Sequence, residues 1–294
     1  MIVSGATFVR NAVKFDYPVL ESIKSILPIT DEFVVNVGES EDATLDIIRS
    51  IEHPGLRIIQ SAWDDSRREG GAILREQTDI ALKECRGDWI FYIQADEVMH
   101  ERYLDTVLRR MELLGPVGRV QGLLFDYRHF YSSYRLVQGP GRWYRREVRV
   151  IRNNIGITSY KDAQGFRLNG DKLRVAPAGA EIYHYGWARD PEVMFAKQRN
   201  FDRYWHDDEW VEDRWRDGFA FETEGLVPFT GTHPAVMKQR IDGAAWDIFK
   251  DPGRLEGFRG PRFLRIRSLL SRIGEYKNYR LIADRHLPSE ARQR

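Results

Sequence analysis

Cysteine is all but missing from this 294-residue sequence: Cys85 stands alone. A lone cysteine excludes an intrachain disulfide and argues against structural zinc. Its place in a helix expected just before Trp89 makes it a small buried hydrophobe. No run of about 18 apolar residues occurs, so no segment is built to cross a bilayer as a helix. No signal-peptide pattern opens the chain either, and a cytoplasmic location is the expectation. Excess charge of one sign is also lacking. A net charge of +1 excludes a nucleic-acid binder that works by bulk phosphate attraction. What is there, 42% apolar and 30% charged residues, is a globular composition with room for one large α/β domain and an appendage.

The N-terminal half alternates two periodicities. Ala6–Val9, Phe33–Val37, Leu56–Ile59 and Trp89–Ile93 are short apolar runs of the kind that form strands buried on both faces. Between them, apolar residues at helical spacing (Leu20, Ile23, Leu27; Leu45, Ile48, Ile51; Ile73, Leu74, Ile80, Leu82) predict helices, punctuated by Pro28, Pro54-Gly55 and Gly70-Gly71. Strand and helix alternating at this spacing predict crossover connections and a mostly parallel sheet flanked by helices. Leu104–Leu114 predicts another helix. Val120–Phe125, Val148–Arg152 and Glu181–Trp187 predict later strands.

The most informative stretch is Gly87–Val98. Its apolar run stops abruptly at Gln94-Ala95-Asp96-Glu97, and open α/β sheets bind ligands at the carboxyl ends of their strands. This turn resembles the acidic Asp-x-Asp motif of GT-A-fold glycosyltransferases of family 2, with Gln94 in place of the first carboxylate. Two further segments resemble the same family. Val35–Thr44 is similar to its Val-Asp-x-Gly-Ser-x-Asp-Gly-Thr segment, with Asn36 and Gly38 at positions where Asp is frequent. Gly70–Arg75 is similar to its Gly-x-x-x-Arg-Asn segment, with Glu76-Gln77 following. The likeness runs over roughly residues 5–187, its motifs in family order.

The resemblance implies an enzyme that moves a sugar from a nucleoside diphosphate-sugar, of UDP or GDP type, to an acceptor hydroxyl, with inversion. It places the donor on Thr7, Val9, Arg10, Asn11, Gly38, Glu39, Arg75, Gln94 and Ala95. It places Mn²⁺ or Mg²⁺ on Asp96 and a late His184, to neutralise the departing diphosphate. Gln94 could add a neutral carbonyl oxygen. The acceptor-side general base falls on Asp162 in Tyr160–Phe166. The structural alternatives are ordinary ones: Asp42 as a helix cap, Asp162 as turn chemistry, and a surface Arg75. Asp64, Asp65, Arg67 and Arg68 receive no role. The aromatics Tyr127–Tyr134 form either a sugar-stacking wall or a hydrophobic corner.

Two other functions stand beside this one. A nucleotidyltransferase would need a Gly-rich loop after the first strand, and Thr7–Asp16 contains no glycine. A noncatalytic descendant that only binds sugar nucleotides is motivated by Gln94. Residues 1–187 form the expected catalytic domain and 188–294 a helical C-terminal extension. In that extension Asp190-Pro191-Glu192 is a helix start, and another helix runs from His233 to Phe249. The stretch 262–285 carries seven basic residues against Glu275 and Asp284, with an apolar stripe at Phe263, Ile266, Leu270 and Ile273. The expected acceptor is a carbohydrate or a lipid-linked one, and such a helix either lies on an anionic membrane, as suits a lipid-linked or lipopolysaccharide acceptor, or packs on the domain.

Overall fold

The four apolar runs of the N-terminal half become a parallel layer. β1 (Val3–Val9), β2 (Glu32–Gly38), β3 (Leu56–Ser61) and β4 (Trp89–Tyr92) lie in the order β3-β2-β1-β4, and every neighbouring pair is parallel. α1 (Val19–Ile26), α2 (Thr44–Arg49) and α3 (Ala72–Lys83) connect them. The computed structural model describes residues 1–67, 70–139, 143–222, 225–250 and 278–291.

Strand side chains alternate between faces, so a run apolar at every position must be covered twice. It is. Trp89, Phe91 and Ile93 pack with Val19 and Ile23 of α1. Ile90 and Tyr92 pack with Ala81 and Leu82 of α3 on the opposite face. Cys85 is buried there too.

Beyond β4 the chain makes a tight turn into β5 (Glu97–Met99), and α4 (Leu104–Leu114) follows. β6 (Gly122–Tyr131), β7 (Leu136–Gln138), β8 (Arg146–Arg152), β9 (Ile157–Tyr160), β10 (Gly165–Leu168) and the long β11 (Asp171–Trp187) complete the sheet. β8 runs antiparallel between β4 and β6, whereas β6 and β11 are parallel. β5 lies antiparallel on β11 and sets Glu97 opposite His184. That register brings the acidic turn and the late histidine to the same place.

The C-terminal region contains α5 (Pro191–Asp202), α6 (Asp208–Arg214), β12 (Leu226–Pro228), α7 (Lys238–Gly243) and β13 (Tyr279–Leu281). Asp190 caps α5 as expected, accepting from the amides of Glu192 and Val193. The single helix expected from His233 to Phe249 is instead broken after Gly243. Asp247 is buried there, accepting from Ser133 Oγ and the Tyr134 amide, and those bonds fix the chain in a non-helical path. The apolar stripe of 262–285 lies outside the described residues. Its end is strand rather than helix, because Tyr279–Leu281 supplies hydrogen-bond partners to Leu173–Val175 of β11. Among the described residues no helix is long and apolar enough to cross a membrane.

Of the two adjacent acids, Glu97 is structural. Its carboxylate receives Arg149 Nε and Nη2 at 2.8 Å each, the Tyr127 hydroxyl at 2.7 Å and the Gln94 amide at 3.1 Å. Both members of the pair are essentially sealed from solvent. Removing one partner strands a buried charge. Arg149→Met should therefore destabilise the fold by roughly 3–5 kcal/mol, a fall in Tm of about 10 °C. The double variant Arg149→Met/Glu97→Met should lose less, as thermal unfolding of the three proteins would show.

Candidate active site

A cavity of about 340 Å³ opens where β1 and β4 end, walled by β11, the β9–β10 turn and α5. Val9, Arg10, Asn11, Gln94, Ala95, Asp96, Asp162 and His184 all line it. Thr7, Gly38, Glu39 and Arg75 do not. Thr7 is buried within β1. Gly38 lies beneath Trp63, whose Nε1 would stand 2.3 Å from a Cβ at that position. Glu39 contributes its carbonyl, which accepts from Arg10 Nε at 2.9 Å, rather than its carboxylate. Arg75 is in the first turn of α3, where its neighbour Leu74 rather than Arg75 itself lines the cavity.

The two strand-end turns are clasped together. The Asn11 side chain accepts from the Glu41 amide, and the Asn11 amide donates to Ser40 Oγ. Asp42 precedes the N-cap Ala43 of α2 and accepts from the Thr44 amide, a turn contact rather than the cap itself. Arg10 forms a fork with Asp65, at 2.5 and 3.0 Å, and lies over the Trp63 ring. Asp65 thus acquires a role that its sequence context does not announce.

Gln94 lines the same cavity and is held through its side-chain nitrogen. Its amide nitrogen donates to Ala163 O at 3.2 Å, tying the acidic turn to the β9–β10 turn, and its backbone carbonyl accepts from Ser22 Oγ. Asp162 sits in that second turn between Lys161 and Ala163, both at positive φ. Burial raises its carboxyl above the ordinary value. Gly71 packs directly beneath it. A Cβ at 71 would come within 2.7 Å of Asp162 Cβ and of Trp205, and φ there is +67°, a conformation that favours glycine.

Asp96 forms the floor. Its Oδ2 accepts from Lys197 Nζ at 3.2 Å, and Oδ1 lies 3.7 Å from His184 Nε2. Lys197 also donates to Gly186 O. Residue 186 must be glycine for this approach, because a Cβ would stand 2.7 Å from both Asp96 Oδ2 and His184 Nε2. Arg189 lies buried nearby, bonded to Phe15 O, with Nε and Nη2 unpartnered among the described residues.

Around this floor the titratable groups shift the same way. Burial pushes the Asp96 carboxyl up, but Lys197, His184 and Arg189 outweigh it and hold it well below the usual carboxylate range. Burial, aided by Arg189, pushes the Lys197 ammonium down to about 7. Burial likewise takes His184 to about 4 and, aided by His184, His129 to about 3. One buried carboxylate, Asp96, here stands against two buried cations, Lys197 and Arg189. Such a place fits an anionic ligand.

Asp96 Oδ1 and His184 Nε2 also fit a divalent cation. A carboxylate oxygen and an imidazole nitrogen 3.7 Å apart are donor types that would suit such an ion. No cluster of three or more His, Cys, Asp or Glu able to hold a metal occurs among the described residues, so ligand oxygens or water would fill the shell. The aromatics divide. Phe130 and Tyr134 form a buried corner, whereas Trp143, Tyr144 and Trp187 line the cavity.

Lys197, Arg189, Arg149 and His129 were not legible as site residues. For Lys197 a signal existed: it shares the buried face of α5 with Met194 and Gln198, the i, i+3, i+4 spacing that normally carries apolar residues.

A half-parallel sheet with an acidic turn at the end of its central strand and a histidine on the facing strand is the architecture of a GT-A-type glycosyltransferase. Residues 10–168, more than half of the chain, match glycosyl transferase family 2. The protein belongs to that family. Among solved structures it is similar to S. aureus TarS, with 17% identity over 68% of this chain and 38% of that one, at a TM-score of 0.41. It is also similar to glucosyl-3-phosphoglycerate synthase from Mycobacterium tuberculosis, in complex with Mn²⁺, UDP and glucosyl-3-phosphoglycerate. There the identity is 20% over 44% of each chain, with a TM-score of 0.28. The chain spans less than half the length of these two proteins. No curated protein matches it.

Glu147, on β8 beside Arg149, is buried with one oxygen unpartnered among the described residues. Burial pushes its carboxyl up from 4.5 to about 7. The native state therefore keeps a proton that the unfolded chain releases, and stability falls as pH rises between those values. Glu147→Gln should match wild type at pH 4 and exceed it by roughly 1–3 kcal/mol at pH 8, measured by urea unfolding. Equal stabilities at pH 8 would contradict this.

Proposed function

We propose that the enzyme transfers a sugar from a UDP- or GDP-type nucleoside diphosphate-sugar to a hydroxyl of a carbohydrate or lipid-linked acceptor, with inversion at the anomeric carbon. The observation that carries this reading is the surplus of buried positive charge around Asp96, facing Asp162 across one cavity.

The donor enters with its nucleoside toward Val9, Arg10, Asn11 and Ala95 and its diphosphate over the floor. Lys197 has three N–H groups and uses two of them on Asp96 and Gly186 O, which leaves one for a phosphate oxygen. Asp96 and His184 would hold Mn²⁺ or Mg²⁺, which when bound neutralises charge on the diphosphate. Asp162 takes the proton of the acceptor hydroxyl as its oxygen bonds to the anomeric carbon. The bond from that carbon to the phosphate oxygen breaks, and the electron pair leaves with the nucleoside diphosphate. Partial burial of Asp162 raises its proton affinity, which suits a base. Trp143 and Trp187, with ring centroids 5.2 Å apart, offer an apolar face to the acceptor.

Donor turnover over a panel of UDP- and GDP-sugars, with Mn²⁺ and with chelator, tests the assignment. Asp162→Asn should lower kcat by roughly 10²–10⁴-fold while nucleoside diphosphate binding is kept. Lys197→Met and Asp96→Ala should weaken nucleoside diphosphate binding as well as turnover, and chelator should depress wild-type turnover. Full turnover by Asp162→Asn, or a product of retained anomeric configuration, would refute the inverting assignment.

A further inference from the structure

His129 and His184 are cross-strand neighbours, in register on the parallel pair β6 and β11. Their Nδ1 atoms are 3.1 Å apart, and His129 Nε2 is 2.7 Å from the backbone oxygen of Tyr144. The proton positions follow from these contacts. A carbonyl oxygen can only accept, so His129 Nε2 carries a hydrogen. A neutral imidazole has one N–H, which leaves His129 Nδ1 with a bare lone pair. The only bond it can then make with His184 Nδ1 is as acceptor, so His184 carries its hydrogen on Nδ1. Its Nε2 is bare and faces Asp96 Oδ1 at 3.7 Å. In the opposite tautomer two lone pairs would confront each other at 3.1 Å.

Burial disfavours a charge on either ring, and at His184 Lys197, Arg149 and Arg189 add to that against the opposing pull of Asp96. His129 is also fixed in orientation, stacked on Tyr127 and met edge-on by Trp143 and Tyr144.

We propose that His129 is a positioning residue: with the Tyr144 carbonyl it locks His184 as the Nδ1–H tautomer and so presents a bare Nε2 beside Asp96, ready to bind a divalent cation. The cation half rests on the function proposed above; the tautomer half does not.

Two variants separate the acceptor from mere bulk. Asn at 129 can place an oxygen near the former Nδ1 and accept from His184; Leu, of similar size, cannot. Long-range ¹H–¹⁵N correlation of the metal-free, histidine-labelled protein should show His184 as the Nδ1–H tautomer in wild type and His129→Asn, and not in His129→Leu. Mn²⁺ titration in the presence of UDP, and in parallel GDP, read from the EPR signal of the free ion, should find affinity lowered at least tenfold in His129→Leu and within about threefold of wild type in His129→Asn. A wild-type His184 protonated on Nε2 would overturn the inference. So would a His129→Leu variant that keeps both tautomer and affinity. If wild type binds UDP or GDP but no Mn²⁺, the metal assignment of the proposed function falls, and the tautomer spectra alone decide the role of His129. Should His129→Leu fail to fold, the wild-type and His129→Asn spectra decide it.

Discussion

The arrangement of the site depends on one buried ion pair. Glu97 and Arg149 meet in a two-pronged contact beneath the β4–β5 turn, and Glu97 also receives the amide of Gln94 at the start of that turn. Arg149 reaches further, donating to Gln164 O in the segment beyond Asp162. The pair therefore joins the three pieces of backbone that carry the acidic turn, the candidate base and the strand between them. Two charges taken out of water give little net stability, since desolvation offsets their attraction. What they supply is position. A turn held by four donors on one carboxylate has little freedom to rotate Asp96 out of the cavity.

Above that anchor, Asp96 works in a field set by other elements. Its backbone carbonyl accepts from the Tyr185 amide, and its side chain meets Lys197 from α5 and His184 from β11. α5 thus reaches beyond the family-matched segment to complete the floor of the candidate site. A buried lysine and a buried arginine against one aspartate is an unbalanced set, and imbalance of this kind favours a ligand that brings negative charge. The nucleoside diphosphate of the proposed reaction would do so, and its charge would grow as the sugar leaves. Interactions that strengthen as charge develops are those that accelerate a reaction.

The fold was largely legible in advance because its signals are local. An apolar run buried on both faces identifies a parallel strand, and Pro and Gly punctuate the connections; β1 to β4 and α1 to α4 fall where those patterns place them. The site was legible only in part. Eight of the residues nominated from motifs line the cavity, because strand ends in this topology converge on one side. The others were drawn from segments whose motif partners are missing: Arg75 is followed by Glu76-Gln77, and Gly38 is covered by Trp63.

Composition and periodicity by themselves determined the α/β class, a mostly parallel sheet, and a carboxylate at the end of the strand that begins at Trp89. Each of these follows from hydrophobic pattern over a few residues. Which of two adjacent acids faces the cavity was decided by tertiary structure, since Asp96 and Glu97 differ only in what lies across from them: Lys197 and His184 for one, Arg149 for the other. The same holds for the roles of Gln94, His129 and Lys197. Their chemistry depends on partners 55 to 101 residues away in the chain, and proximity at that separation is set by strand register and helix docking, which no local pattern encodes.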